Sequence, residues 1–208
     1  MIFALLLAIN FVAPTLSQPG VWPGDEVAVR NGEKVLVLVE KSRLQCELEE
    51  QHVRVSTVKD SPDLPGNVVG KKVSFENDSE VVQVIARVPG LIPGPVETVE
   101  VQAEENAKHE NPITFTFHGV EWRIEVLGND LVITDGTQKQ VLARRLDKET
   151  TVAWDLYWAG DMDHDGKLDL LYVIHGENYT RDQLALSSAA KEGELVRVVA
   201  GEKHFFGC

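Results

Sequence analysis

Residues 158–172, WAGDMDHDGKLDLLY, place four aspartates in nine positions: Asp161, Asp163, Asp165 and Asp169. Oxygen ligands at positions 1, 3 and 5, a glycine at 6, a backbone carbonyl at 7 and a carboxylate at 9 are the pattern that wraps a hard cation. Here those positions are Asp161, Asp163, Asp165, Gly166, Lys167 through its carbonyl, and Asp169. Side chains two apart in a tight loop can turn toward one centre, and Gly166 permits the bend. The expected cofactor is Ca2+, which accepts oxygens in flexible geometry, whereas magnesium demands stricter octahedral order. Zinc would call for converging His or Cys, and His164, at position 4, should face outward. Four carboxylates about 5 Å apart in water repel one another by roughly 5 kcal/mol in total, which a bound dication removes.

Other chemistry is thinly represented. Ser188-Ala189-Ala190-Lys191 matches S-x-x-K, but its S-D-N and K-T-G companions are missing. There is no G-x-S-x-G, H-E-x-x-H or phosphate loop. Glu121 and Glu125 are a conceivable acid pair that also fits the outward face of a strand. His52, His109, His118, His175 and His204 form no spaced cluster and are read as surface or strand residues. Trp154, Tyr157 and Trp158 precede the loop and are read as core packing rather than as a sugar-stacking face. Asn77-Asp78-Ser79 and Asn178-Tyr179-Thr180 match glycosylation acceptors, relevant in a eukaryotic secretory path.

The elements that must hold this loop are strands. After Pro112 the segments ITFTF, VEWRIEVL, DLVIT and KQVLARR are divided by His118-Gly119, Gly128-Asn129 and Asp135-Gly136, an antiparallel meander. RDQLALSSAAKEGELVRVV divides into strand, turn at Glu192-Gly193 and strand. Upstream, Asn31-Gly32 between EVAVR and EKVLVLVEK signals a hairpin, and Asn77-Asp78 between KKVSFE and EVVQVIARV signals another. LQCELEEQHVRVSTV alternates as one or two strands, and PGLIPGPV (89–96) is irregular. Residues 102–112, QAEENAKHENP, read as a short helix or exposed connection. The expected fold is all-β, mainly antiparallel hairpins and meander with little helix.

The aspartate loop resembles the calcium loops of FG-GAP and VCBS-type β-propeller repeats, G-D-x-D-x-D-G-x-x-D-L set between strands. The likeness extends through DLLYVIHG and QLALSSAAKEGELVRVV. It implies Asp161, Asp163, Asp165 and Asp169 as side-chain ligands and Lys167 as a carbonyl ligand. One copy, about 50 residues, is one blade-like unit and not a full propeller. The chain as a whole resembles a group of uncharacterised exported bacterial proteins, which implies a compartment and no activity.

Ile2 to Val12 is apolar apart from Asn10 and too short to span a bilayer. Thr15-Leu16-Ser17 offers small residues before a cut ahead of Gln18, so residues 1–17 read as a signal peptide. The expected division of the rest is an N-terminal β domain over 18–108 and a C-terminal β domain over 109–208. Two cysteines, Cys46 and Cys208, suggest a disulfide in an oxidising compartment. A net charge of −13 with no lysine/arginine cluster argues against nucleic acid and anionic lipid as partners. The expected protein is periplasmic or secreted, without stable membrane insertion once the signal is removed. It binds calcium, is non-catalytic, and acts in binding or adhesion at the cell envelope toward a protein or glycan. A small calcium-dependent hydrolase and a structural accessory subunit are the alternatives.

Overall fold

The computed structural model describes residues 13–23, 27–42, 44–59, 69–76, 80–101, 112–144, 153–176 and 178–205. It is all-β, with antiparallel sheets and sixteen strands among the described residues. A nine-stranded sheet runs in the order β1 (Thr15–Ser17), β7 (Val81–Ala86), β3 (Lys34–Ser42), β4 (Gln45–His52), β8 (Gly94–Thr98), β13 (Ala153–Asp161), β14 (Asp169–His175), β15 (Tyr179–Leu186), β16 (Arg197–Phe205). It curls until β1 touches β16, giving a nearly closed, barrel-like sheet. A four-stranded sheet holds β9 (Ile113–Phe117), β10 (Val120–Leu127), β11 (Asp130–Thr134) and β12 (Lys139–Arg144). A three-stranded sheet holds β2 (Gly20–Pro23), β6 (Val69–Ser74) and β5 (Arg54–Lys59).

The period-2 alternation of strand side chains explains how one sheet serves three cores. On β14, Leu170, Tyr172 and Ile174 join Phe115, Ile124, Leu131 and Ile133 of the four-stranded sheet. Leu171, between them, points the other way and packs with Leu16, Leu38, Leu48, Ile85, Trp158 and Leu184 inside the barrel. On β3, Val35, Val37 and Val39 meet Val73 and Phe75 beneath the three-stranded sheet, while Leu38 faces the barrel interior. Strands covered on both faces read as unbroken apolar runs, as LLYVI and VLVLV do. Each fully buried Leu or Val contributes about 1.5–3 kcal/mol relative to exposure.

The meander β9–β12 and the pair β15–β16 form as the turn residues indicate, and Gly193 has a left-handed φ of 84° in the connection. Two expected hairpins do not form. β6 and β7, on either side of Asn77-Asp78, belong to different sheets, and residues 77–79 lie outside the described residues. Around Asn31-Gly32, residues 27–33 are irregular because their polar groups are used elsewhere. The Ala28 carbonyl accepts a hydrogen bond from Arg87 at 2.7 Å, and Asn31 Oδ1 accepts the Val55 amide at 2.9 Å. β3 pairs instead with β4 and β7. The irregular stretch expected over 89–96 gives way to β8 from Gly94.

The nine-stranded sheet takes strands from both sides of residue 109, and β13 meets β8 through Gly160 opposite Thr98. A side chain at Gly160 would lie 1.8 Å from the Glu97 carbonyl oxygen, so only glycine permits this approach. Residues 102–111, including His109, lie outside the described residues. So do residues 1–12 of the expected signal segment. Thr15-Leu16-Ser17, the expected cleavage determinants, form β1 against Ala86, Ile85 and Val84, and Leu16 has no exposed surface.

The expected disulfide is corrected by the structure. Cys46 is a free, buried thiol, and no cysteine pair lies at disulfide distance. Cys208 lies outside the described residues. Cys46 faces the barrel interior beside Leu48 and Val96, where it packs as a small apolar side chain. Burial pushes its thiol up from the ordinary value. An even cysteine count carries no information on whether the two thiols meet, and Cys46 is free. Among the described residues no helix is long and apolar enough to cross a membrane.

Candidate metal centre

The aspartate loop joins two strands that are already hydrogen-bonded neighbours. β13 ends at Asp161 and β14 begins at Asp169, with Gly160 opposite Asp169 in register. The intervening turn therefore folds back on itself, and Gly166 supplies a left-handed φ of 78° for the bend. His164 also has a positive φ, 63°, and its side chain is exposed, as position 4 required.

The loop brings Asp161, Asp163 and Asp169 together: one carboxylate oxygen from each lies within 4.8 Å of the others. Asp165 is not in this cluster. Its Oδ1 accepts the Lys167 amide at 2.8 Å and the Ser187 hydroxyl at 3.0 Å, which turns the carboxylate toward the 187–188 segment. The Lys167 carbonyl is placed by that same turn. Three of the five expected ligands thus converge as side chains, while Asp165 in this arrangement supports the loop.

Each clustered carboxylate is held differently. Asp161 Oδ1 and Oδ2 accept the amides of Asp165 at 3.1 Å and Gly166 at 2.9 Å, closing the turn on itself. Asp169 has no exposed surface and accepts the Met162 amide at 2.9 Å and the Ser187 amide at 2.8 Å. Asp163 accepts the Ser188 hydroxyl on Oδ2, whereas its Oδ1 is buried without a hydrogen-bond partner. A buried carboxylate oxygen with nothing to accept is costly in this setting, and it belongs to one of the three clustered aspartates.

Burial pushes the Asp169 carboxyl up to about 7; the Ser187 and Met162 amides pull it down, and the Asp163 charge pushes it up again. Two charges about 4.8 Å apart repel by about 1 kcal/mol in water and about 3.5 kcal/mol at an effective dielectric constant of 20. Three such pairs strain the loop when all three aspartates are ionised. A cation among them would reverse the sign of every term. Oxygen-only donors fit calcium or magnesium and not zinc.

Sequence reasoning missed the residues that brace the loop from outside. Ser187 and Ser188 follow β15 and reach Asp165, Asp163 and Asp169 through hydroxyls and one amide. His118, at the β9–β10 turn, lies 3.2 Å from the Gly166 carbonyl through Nδ1 and 2.9 Å from the Glu97 carboxylate through Nε2. Both partners are acceptors, so each contact needs its own ring N–H. Nothing local marks these three residues: their partners are 18 to 48 positions away. The His118-Gly119 dipeptide, recognisable as a turn, was the one available signal.

A cleft of about 560 Å³ opens beside the loop, between the β9–β10 turn and residues 187–195. Phe117, Trp122 and Leu168 contribute apolar surface, and Lys167, Lys191 and Glu192 contribute charge. Ser188 and Lys191 make no nucleophile–base pair. The Ser188 hydroxyl goes to Asp163 instead. Glu125 is paired with Arg123 at 2.8 Å, and Glu121 is exposed on the same strand. Trp154 and Trp158 are buried in separate cores, whereas Tyr157, at the register shift in β13, is exposed. His175 contacts Asp155 at 2.8 Å across β13–β14.

No protein-family model matches the chain, and no curated protein and no solved structure is significantly similar to it.

Asp163 takes part in two of the three repulsive pairs, and an asparagine there keeps an oxygen for Ser188. In chelator, Asp163→Asn should therefore melt about 2–4 °C above the wild type, corresponding to about 1 kcal/mol. A variant that melts lower than the wild type in chelator would contradict the strained-cluster account.

Proposed function

We propose that this is an exported calcium-binding β protein, non-catalytic, that acts in binding or adhesion at the cell envelope. The observation that supports it most is the convergence of Asp161, Asp163 and Asp169, together with a buried Asp163 oxygen that has no hydrogen-bond partner. A cation there would complete a site whose remaining oxygens come from Asp165 after a side-chain rotation, from the Lys167 carbonyl and from water. The ion's part is structural: it neutralises the loop and so fixes the 187–195 segment that walls the neighbouring cleft.

That cleft is the reading's partner site. Its aromatic and aliphatic floor with a rim of both charge signs suits a neutral glycan or a protein loop better than a polyanion. The chain's net charge of −13 points the same way. The hydrolase alternative gains nothing from Ser188, Lys191, Glu121 or Glu125, whose contacts serve the loop or a strand surface.

Calcium at 100-fold above its dissociation constant should stabilise the protein by about 2.7 kcal/mol, several degrees in melting temperature. Asp161→Ala should abolish the increment. Superimposable melting curves in calcium and in chelator would overturn the metal reading. Export is tested separately by mass spectrometry of cell fractions. The expected result is a form starting near Gln18 outside the cytoplasm, and an intact Met1 form confined to the cytosol would refute it.

A further inference from the structure

A second cluster of titratable groups lies on the last two strands, away from the metal centre. Asp182 and Glu202 are direct partners across β15–β16, and His204, two residues on, shares the face of Glu202. His204 Nε2 stands 3.7 Å from Asp182 Oδ2 and 3.6 Å from Glu202 Oε2. Those lengths are ion-pair contacts and too long for hydrogen bonds. Accordingly His204 Nε2 and Glu202 Oε2 are both buried without a hydrogen-bond partner. The side chains of Asp182, Glu202 and His204 are 3%, 11% and 11% exposed, so solvent screens them little.

The N-terminal segment covers this cluster and touches each end of it. The Trp22 indole stacks on the His204 imidazole with centroids 4.4 Å apart and planes 28° apart. Trp22 Nε1 donates to the Gln18 carbonyl at 3.3 Å, and Gln18 Nε2 donates to Asp182 Oδ2 at 3.2 Å. The segment thus leads into the edge strand β2, with the Gln18 amide gripping one carboxylate and the Trp22 indole lying on the imidazole. Among the described residues, the other ionisable group that senses the cluster is Tyr157 of β13, through Asp182. Arg181 and Lys203 alternate to the opposite face, where both lie over the Tyr179 ring.

We propose that Asp182, Glu202 and His204 form a proton-operated clasp, which fastens Gln18–Pro23 to β16 in weak acid and loosens it in weak base. With the imidazole protonated, one cation sits between two anions. With it neutral and both carboxyls ionised, two like charges remain buried on facing residues with no cation between them. Separation and rehydration then relieve the repulsion, and the element that yields is Gln18–Pro23, whose β2 is the short edge strand of the three-stranded sheet, rather than β15 and β16, which are paired along their length.

The titration behaviour agrees in sign. Burial pushes the Glu202 carboxyl up to about 7, with His204 pulling it down and Asp182 pushing it up. For His204, burial alone would favour the neutral ring, but Asp182 and Glu202 outweigh it and hold the imidazole above its ordinary value of 6.5. Both groups therefore favour the closed form when protonated. The Glu202 contribution is full below its ordinary 4.5 and is lost as pH rises to about 7. The His204 contribution is full below 6.5 and is lost above that, through its raised folded value. The two losses run in the same direction. Gln18 and Trp22 both follow the expected cut, so the clasp belongs to the processed chain as well.

The test is hydrogen exchange of the peptide covering residues 18–23, corrected for intrinsic rates, from about pH 5 to about pH 9. Saturating calcium keeps the aspartate loop from titrating. One pK unit corresponds to a tenfold change in an opening constant, so the wild type should open at least about tenfold more at the alkaline end. Glu202→Gln removes one anion and should flatten that dependence to under about threefold. His204→Gln should shift the opening to lower pH. A wild-type segment whose corrected exchange is flat, or a Glu202→Gln variant that keeps the full dependence, overturns the clasp. Should a variant not fold, tryptophan emission of the wild type decides. The imidazolium quenches the stacked Trp22, so emission should rise with pH along the exchange curve and lose that rise in Trp22→Phe. An emission curve unchanged by Trp22→Phe counts against the clasp.

Discussion

A carboxylate with no exposed surface, Asp169, sits at the first residue of β14 and binds two backbone amides. One is Met162, at the start of the aspartate loop; the other is Ser187, at the end of β15. Hydrogen bonds to a charged acceptor contribute about 1.5–3 kcal/mol each, and losing the acceptor would leave both donors buried and unmet. The same burial that makes these bonds strong pushes the carboxyl up to about 7. A buried charge is tolerated when it is compensated. The amides compensate part of it, the neighbouring Asp161 and Asp163 make matters worse, and a cation would resolve the conflict. Loop, strand and the following turn all meet at this side chain.

The surrounding fold limits how that conflict can relax. β13 and β14 are paired along their length, so the loop's ends cannot separate. The 187–188 segment is held by Asp165 and Asp163 from one side, and the Gly166 carbonyl by His118 from another. Glu97, which fixes His118, belongs to the strand that approaches Gly160 so closely that no Cβ fits. The three cores of the protein share β14 or β3, so these strands do not shift independently. Rigid walls around a charged, shallow loop are what let an ion act on structure rather than merely adhere to a surface.

Much of this was legible in the chain. Strand type, the β9–β12 meander and the β15–β16 pair follow from turn residues and alternation, which are local properties. The acidic loop was legible because its signal is a spacing within nine residues. What was hidden is long-range. Asn31-Gly32 looks like a hairpin turn, yet Asn31 and Gly32 bond to Val55 and Val53, and Arg87 holds Ala28 and Glu33, which draws residues 27–33 out of pairing. KKVSFE and EVVQVIARV look like a hairpin, yet they lie in different sheets and meet face to face in one core. Asp165 fits the ligand pattern by position and is claimed by Ser187, 22 residues on. Cys46 carries no mark of its fate, because a buried free thiol and a half-cystine look alike in a sequence. His204, dismissed as a strand residue, acquires its setting only when Trp22 crosses over it.

Isothermal titration calorimetry of the wild type with calcium, repeated with magnesium, decides whether the aspartate loop holds the ion proposed for it. The account predicts one calcium per chain, with a dissociation constant on the order of 10⁻⁴ to 10⁻³ M or tighter, and markedly weaker magnesium binding. Absence of calcium binding up to about ten times the upper end of that range would contradict it and leave the three converging aspartates as a solvated turn.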